Sequence, residues 1–581
     1  MKHLKKIATM LLMAAMLLSV CSCAMAEAVT IPSWLHPTQI PLVDEPVTLR
    51  ITAQCSDYMT DPEASWLYKF FEEKLGVNIE LEYFYPATRD ESVALMMVDS
   101  TLPDLMLGMQ FTAEEISRYG TGTGLFLDMN PYINEVNAPN LNQFLNVEQP
   151  NRKQAMSDAY GALYTLGAYE TPSKLDYTSY RMYFNWDLME AAGVEKLPET
   201  LDEFLDMLRA EKKYGEENGQ TIVPFGGNYP RYNPCYLILN ALGYNKSMGG
   251  GSHGPEETSI MLRKGQIVLP AYDREAFPKY LETLHTMYEE GLMEQDFYTL
   301  DNDTTEAHLS SGMYGVFQEV PGLFGGGEFG QQWWGGIPLT SEFNETPFWP
   351  RTAGISIGGL AIGADTRYPE LCVAIADFFY CQEYGLLVLR GPSVNQPDIQ
   401  LGFDGWYYDT EANAVRYADY VEHASEYDNI NHYMEAKYPF FKRYTFDYSV
   451  TGEDENGNDI SWYPDLSGIE GDSLYDLALF RKTTDNFNHQ FMTAQAFTWS
   501  KYKTDELTPT VCFFDSDTTA RLSDLKTLID DYAEQEIAKF VTGARPLSEI
   551  DDYFNELQKL GADEYLGYYV DYYEAQQNAA N

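Results

Sequence analysis

Positive charge is what this chain lacks most. Its 38 Lys and Arg stand against 88 Asp and Glu, a formal net charge of −50, and so acidic a body repels nucleic acid and anionic lipid head groups. Nucleic acid is therefore excluded as a partner; what binds is neutral, cationic or reached through a local patch. Histidine is scarce too. The 8 residues are scattered, with no H-E-x-x-H, no pair at i, i+4 and no C-x-x-C after the N-terminal segment, so a zinc site is not expected. Of 7 Cys, five follow the N-terminal pair: Cys55, Cys235, Cys372, Cys381 and Cys512. An odd number cannot be used up by intrachain disulfides. Cys372 and Cys381, nine residues apart on one expected helix, would lie roughly 13 Å apart on opposite faces, too far to bridge. Buried free thiols are expected. Long apolar runs, internal repeats and Pro- or Ser-rich linkers are also missing. The 581 residues, 45% of them hydrophobic, suffice for two or three domains that share a continuous body.

One apolar run does occur, at the start. Lys2, Lys5 and Lys6 precede Ile7–Val20, a stretch too short to span a bilayer comfortably, which reads as an export signal. Two endings are written into "LLSVCSCAMAEA" (17–28). Ala24-Met25-Ala26 fits ordinary cleavage before Glu27, which would free the chain into solution. Val20-Cys21-Ser22-Cys23 resembles a bacterial lipobox, in which a small residue precedes a cysteine that takes a diacylglyceryl group. Ser22 makes Cys23 the better acceptor, and an acylated Cys23 is the expectation: 1–22 signal, 23–46 tether, and a lipid anchor on the outer face of the bacterial cytoplasmic membrane.

Beyond the tether, Val47–Ile51 alternates as a half-buried strand. Asp61-Pro62 then offers an N-cap and a first-turn proline for a helix with Trp66, Leu67, Phe70, Phe71 and Leu75 as its apolar stripe, ended by Gly76. Val77, Ile79, Leu81 and Tyr83 alternate again, so the chain opens β-α-β, the unit of a parallel sheet. Thr200-Leu201-Asp202-Glu203 is a capping box. Phe277 to Tyr288 repeats the helical spacing before Gly291, and helices with stripes Leu522-Leu525-Ile529-Tyr532 and Ile550-Phe554-Leu557 flank the break "GARP" (543–546). "DENGND" (454–459) carries a hairpin signal. The class is α/β with a helical C-terminus.

No catalytic constellation is found. Gly354-Ile355-Ser356-Ile357-Gly358 matches the G-x-S-x-G elbow of serine hydrolases, but that motif demands a helix directly after the serine, and here more strand and a turn follow, with the next helix near Pro369. "DNDTTE" (301–306) lacks the glycine and terminal glutamate of a calcium loop and reads as an N-cap. Carboxylate pairs for glycoside hydrolysis carry no information in so acidic a chain. No cofactor is indicated.

Five stretches, in order, carry a family resemblance: "DSTLPDLMLG" (99–108), "GLFLDMNPYINEVNAPNL" (124–141), "YGALYTLGAY" (160–169), "YFNWDLMEAAGVEKLPETLDEFLDML" (183–208) and "AKFVTGARPLSEIDDYFNELQKLG" (538–561). Together with the lipobox they resemble the extracellular solute-binding lipoproteins of ABC importers, in the longer branch whose relatives bind carbohydrates. Trp186 departs from the family's usual lysine, and "KKYGEENGQ" (212–220) lacks the calcium-ligand spacing of some longer relatives, so no metal is carried over. The resemblance implies a two-lobe type II periplasmic-binding-protein fold. Lobe 1 would span 47–178 and 352–392 and lobe 2 179–351 and 393–581, with crossing strands near 178–184 and 352–362, and the lobes would close on a solute between them. "GISIGGLAI" would be one crossing strand, its glycines allowing close backbone approach. The implied partners are a small-molecule solute, a sugar by preference, and the permease and ATPase subunits of an importer, with the receptor itself a monomer. Aromatic faces and planar polar groups hold sugars, which makes Tyr58, Asn185, Trp186, Trp333, Trp334, Trp349, Arg351, Trp406 and Trp499 the candidate ligand residues. Trp333 and Trp334 lead, as consecutive indoles beside glycines that one local core would not easily bury together. A receptor for peptides or other solutes, and a secreted glycan-active hydrolase, stay open as alternatives.

Overall fold

Strand alternation and helix capping build two separate bodies. The computed structural model describes residues 31–98, 102–158, 160–167, 182–246, 256–318, 332–350, 356–409, 414–417, 420, 426–427, 430–441, 502, 504, 506, 508 and 511–580. The signal segment with Cys23, the hairpin signal at 454–459, Arg351 and Trp499 lie outside the described residues, as do residues 178–181 and 352–355 of the expected crossings. Along the chain the strands are β1 (Val47–Gln54), β2 (Val77–Phe84), β3 (Leu105–Leu107), β4 (Thr165–Leu166), β5 (Met182–Asn185), β6 (Val223–Phe225), β7 (Met261–Arg263), β8 (Gln266–Val268), β9 (Tyr314–Gln318), β10 (Trp333–Gly335), β11 (Leu360–Ile362), β12 (Trp406–Asp409) and β13 (Ala414–Tyr417). The chain divides into a first unit of Met1–Ala168, Ile357–Trp406 and Tyr417–Phe446, and a second of Tyr169–Ser356, Tyr407–Arg416 and Asp447–Asn581. The first unit thus takes 393–406 and 417–446, which the sequence reading assigns to the second lobe. Among the described residues no helix is long and apolar enough to cross a membrane.

In the first unit the β-α-β opening forms as expected. β1 and β2 pair in parallel from Val47↔Val77 to Gln54↔Phe84, and the sheet order is β2-β1-β3-β11-β4. Trp66, Leu67, Phe70, Phe71 and Leu75 are fully buried. The stripe is carried by three pieces, however, and not by one helix. Asp61 caps a single 3-10 turn at Pro62–Ala64, then Ser65 caps anew by accepting from Tyr68 N at 3.3 Å, and a wider turn at Phe71–Leu75 ends on Gly76 at φ 77°. A second side-chain acceptor, four residues after the first, restarts the helix. Cys372 and Cys381 also fall on different elements: the helix Pro369–Phe379 ends before Cys381, which caps the helix Gln382–Arg390. Cys55, Cys235 and Cys372 are buried free thiols, and burial pushes the Cys55 thiol up to about 12.

The second unit is built on the sheet β10-β5-β9-β6, where β6 and β9 run parallel and β5 and β10 antiparallel to their neighbours. The helix Leu201–Asn218 packs on it with Phe204 and Leu208 inward. Thr200 caps that helix by accepting from Glu203 N, but the Glu203 carboxylate accepts from Glu199 N at 2.9 Å, one residue earlier than the box requires. Asp301 likewise caps Asn302–Ser310, accepting from Thr304 N at 2.7 Å. The C-terminal helices Ser516–Val541 and Ile550–Lys559 place Leu522, Leu525, Ile529, Phe554 and Leu557 in the same core as Phe277, Leu281 and Leu284. Gly543, at φ 77°, makes the break between them.

Candidate functional site

Parallel strands leave their carboxyl ends on one edge of a sheet, and in α/β sheets the loops beyond that edge are where ligands sit. In the first unit these loops follow Gln54, Phe84 and Leu107. Gly108 N donates to Gly359 O at 2.7 Å and Phe111 N to Gly358 O at 3.1 Å, which ties the last loop to the chain entering β11. Gly358 makes this possible. At φ 74°, a Cβ placed there would lie 2.1 Å from Phe111 O and 2.3 Å from Phe111 N. The close backbone approach expected of "GISIGGLAI" is therefore real at this glycine, two residues before β11, the strand flanked by β3 and β4. The G-x-S-x-G reading has no support here, because Gly358 leads into a strand and the next helix begins at Pro369.

Three residues of this edge have side-chain anchors. Cys55 Sγ donates to Phe440 O at 2.9 Å, Ser56 Oγ to Glu435 Oε2 at 2.5 Å, and Tyr85 OH to Met59 O at 2.9 Å. The Ser56 bond seats the helix Ile430–Lys437 beside the end of β1, and the Cys55 bond holds the segment that follows it. There the Tyr58 ring stacks on His432, centroids 3.8 Å apart and planes 19° from parallel, while 40% of Tyr58 stays exposed. At the ends of β1, β2 and β3 a cavity of about 400 Å³ is lined by Gln54, Thr88, Arg89, Asp90, Glu91, Gln110 and Thr112, with Pro86 and Ala87. Gln54 is almost wholly buried, and its amide oxygen has no hydrogen-bond partner among the described residues. Burial alone would lower the Arg89 pKa, but the ion pairs with Glu115 and Asp90 outweigh it and leave the pKa raised.

The second unit repeats one detail. Gln318 ends β9 as Gln54 ends β1, is buried, and has an amide oxygen with no partner among the described residues. The turn after β6 lies at the same edge. Asn228 N donates to Tyr232 O and Tyr232 N to Asn228 Oδ1, both at 3.0 Å, and the Arg231 guanidinium lies 5.0 Å from the Tyr232 ring centroid.

The comparisons follow from this architecture. No family model matches the chain, and no curated protein matches its sequence. Solved structures do. An HMO-binding, ABC-transporter-associated solute-binding protein from Bifidobacterium longum infantis aligns over 91% of this chain and 99% of its own, at 16% identity and a TM-score of 0.67. The S. pneumoniae ABC-transporter substrate-binding protein FusA in complex with kestose aligns over 92% and 100%, at 18% identity and 0.65. The alginate-binding protein AlgQ2 aligns over 92% and 99%, at 17% and 0.60. The chain has the type II periplasmic-binding-protein fold.

Within this fold the candidate residues separate. Tyr58 lies at the carboxyl edge of its sheet. Trp406, half-buried, starts β12 and donates from Nε1 to Gly391 O at 3.1 Å. Asn185, Trp186 and Trp333 lie elsewhere. β5 runs antiparallel to β9 with Met182 opposite Gln318, so Asn185 is three residues, about 10 Å, from the carboxyl edge, and Trp333 pairs with it there. Asn185 caps Trp186–Ala191 by accepting from Leu188 N at 3.1 Å, and Trp186 packs into the main core. Trp333 is 2% exposed among Tyr183, Tyr232, Leu309, Tyr314 and Phe317; in a strand, neighbouring residues need not share one core. Trp334 belongs to β10, and its side chain is outside the described residues. Trp349 is wholly buried and meets Tyr236 edge-on at 5.7 Å. Gln54, Arg89, Gln110 and Gln318 went unnoticed in the sequence. For Gln54 and Gln318 the visible signal is an amide as the last residue of a strand.

Proposed function

We propose that this chain is the extracellular substrate-binding component of an ABC importer, which captures an oligosaccharide at the carboxyl edges of its sheets and hands it to a membrane permease. The observation that carries this reading is the end-to-end alignment with full-length solute-binding proteins whose names or bound ligands are HMO, kestose and alginate. The chain binds and does not transform its solute. The basic, apolar N-terminus and the Ser22-Cys23 pair support export and a lipid tether at Cys23, and the receptor acts as a monomer. Tyr58 over His432 supplies a ring face, and Gln54 and Gln318 supply amide groups for sugar hydroxyls.

A ligand that binds only the native state raises its melting temperature with occupancy. A panel of kestose, maltotriose, cellotriose, milk oligosaccharides and short peptides is expected to give hits among the saccharides, and Tyr58→Ala weakens the best hit at least fivefold. Hits confined to peptides would replace the sugar by a peptide solute. Release of new reducing ends from a bound glycan would overturn the receptor reading in favour of a hydrolase.

A further inference from the structure

Resting on the sugar-receptor reading, we infer that the cavity lined by Gln54 and Arg89 selects by charge, admitting neutral hydroxylated rings and refusing those that carry a carboxylate. The fold itself does not decide this, since its bearers include both a kestose complex and an alginate-binding protein, and alginate is a polyuronate. Local chemistry has to decide it.

Arg89 is the cation in the cavity wall, and a guanidinium has five N–H donors. All five are in use. Nε donates to Met109 O at 3.1 Å, Nη1 to Asp90 Oδ1 at 2.9 Å and Glu115 Oε1 at 2.6 Å, and Nη2 to Gln110 O at 3.2 Å and Glu115 Oε2 at 2.6 Å. The pair with Glu115 is a two-pronged fork, the strongest form of this contact, and both side chains are largely shielded from water, 14% and 17% exposed. An incoming carboxylate would have to break that fork to reach Arg89. Arg89 and Glu115 cancel in charge, which leaves Asp90 and Glu91 at the rim. The N-terminus of the helix Arg89–Val98 offsets about half a charge of these two. The field in the cavity stays negative, in line with the −50 of the whole chain.

The unused hydrogen-bonding capacity has the same preference. Gln54 Oε1 is an acceptor buried without a partner among the described residues, and leaving it so is costly unless a ligand donates to it. A sugar hydroxyl has a proton to give and an ionised carboxylate has none, so a uronate can meet Gln54 Oε1 through its hydroxyls but not through its carboxylate. Asp90 and Glu91, acceptors only when ionised, ask for the same donors. Thr88 Oγ1 spends its proton on Tyr85 O, whereas Thr112 Oγ1 accepts from Glu115 N and keeps its proton, a single donor open to a neutral or a charged ring alike. At about 400 Å³ the cavity sits low in the usual range of roughly 300–1,000 Å³ for ligand pockets, which suits part of an oligosaccharide.

The test uses the full chain and two matched sets of trisaccharides, kestose, maltotriose and cellotriose against trigalacturonate and alginate trimers, with affinities by calorimetry. The best neutral ligand is expected to bind at least tenfold more tightly than any uronate. In the double variant Asp90→Asn, Glu91→Gln that ratio falls at least threefold while the neutral affinity changes less. A uronate bound as tightly as the best neutral sugar would overturn the inference and leave the receptor reading standing, as would a ratio that the double variant does not move. Failure of both sets to bind would instead remove the receptor reading, and this inference with it.

Discussion

Gly358→Ala tests whether the carboxyl edge of the first unit is held by the contact between β11 and the loop after β3. Two costs add. At φ 74° an alanine pays about 1–2 kcal/mol for the left-handed conformation. Its Cβ would also meet the Phe111 carbonyl oxygen, nitrogen and carbonyl carbon at 2.1, 2.3 and 2.7 Å, far inside ordinary contact at 3.4–4 Å, and all three are backbone atoms that cannot turn aside. The strand must withdraw, and the bonds Gly108 N to Gly359 O and Phe111 N to Gly358 O go with it, at about 1 kcal/mol each. Alanine's less flexible unfolded chain returns about 0.4–1 kcal/mol, which leaves a loss of about 3 kcal/mol. Gly124→Ala is the control: φ is 66° and nothing lies within 4 Å of its Cβ, so it bears the dihedral cost alone and loses about 1 kcal/mol or less. Urea unfolding of both variants, followed by circular dichroism, measures the difference directly. Equal stabilities would refute the reasoning, because the steric part is what separates them. Sugar affinity should fall in Gly358→Ala and hold in Gly124→Ala, since Gln110 and Thr112 ride on the displaced loop.

Burial raises the Asp377 carboxyl from 3.8 to about 6, against the opposing bonds from Leu141 N and Asn140. With the folded pKa above the unfolded one, its contribution to stability is complete below about pH 4 and is lost as pH rises through about 6; some two units correspond to about 3 kcal/mol. Asp377→Asn should therefore gain on the parent by up to that amount between pH 4 and 7 in Tm-derived stability, and a pH-independent difference would show the shift to be absent. Asn185→Ala should cost about 1 kcal/mol through loss of the cap on Trp186–Ala191, with Asn185→Asp restoring it; a silent alanine variant would exclude the capping role. Cys55, Cys235 and Cys372, buried with raised thiol pKa values, should resist thiol reagents in native buffer and react in urea; modification of any of them without denaturant would contradict their burial.

The elements legible in the sequence were those whose signal is local. Val47–Gln54 and Val77–Phe84 alternate, Thr200 and Asp301 cap, Gly76 and Gly543 stop helices, and each does so in the structure. The misreadings arose where two local signals compete. Asp61 and Ser65 both offer an acceptor, and the second wins the helix. Thr200 and Glu199 both present an N–H to Glu203, which accepts from Glu199. Cys381 was read onto the helix of Cys372 because nothing in "FFYCQEY" breaks the period, yet Tyr380 closes one helix and Cys381 opens the next.

The site was less legible for a different reason. Residue type says what a side chain can do to a sugar, but the edge of the sheet on which it stands is set by strand direction and register, and these are decided by pairing between distant segments. Asn185 and Trp333 follow and precede plausible crossing points in sequence, yet the antiparallel setting of β5 on β9 carries both away from the edge that Gln318 occupies. Aromatic rings are also the wrong residues to search by, because a large apolar face serves the core equally well, and Trp333, Trp349 and Trp186 are all buried in it. A buried amide has no such second use. Gln54 and Gln318 gain nothing from burial unless something donates to them, so an amide that ends a parallel strand is the stronger pointer to a ligand than any tryptophan in this chain.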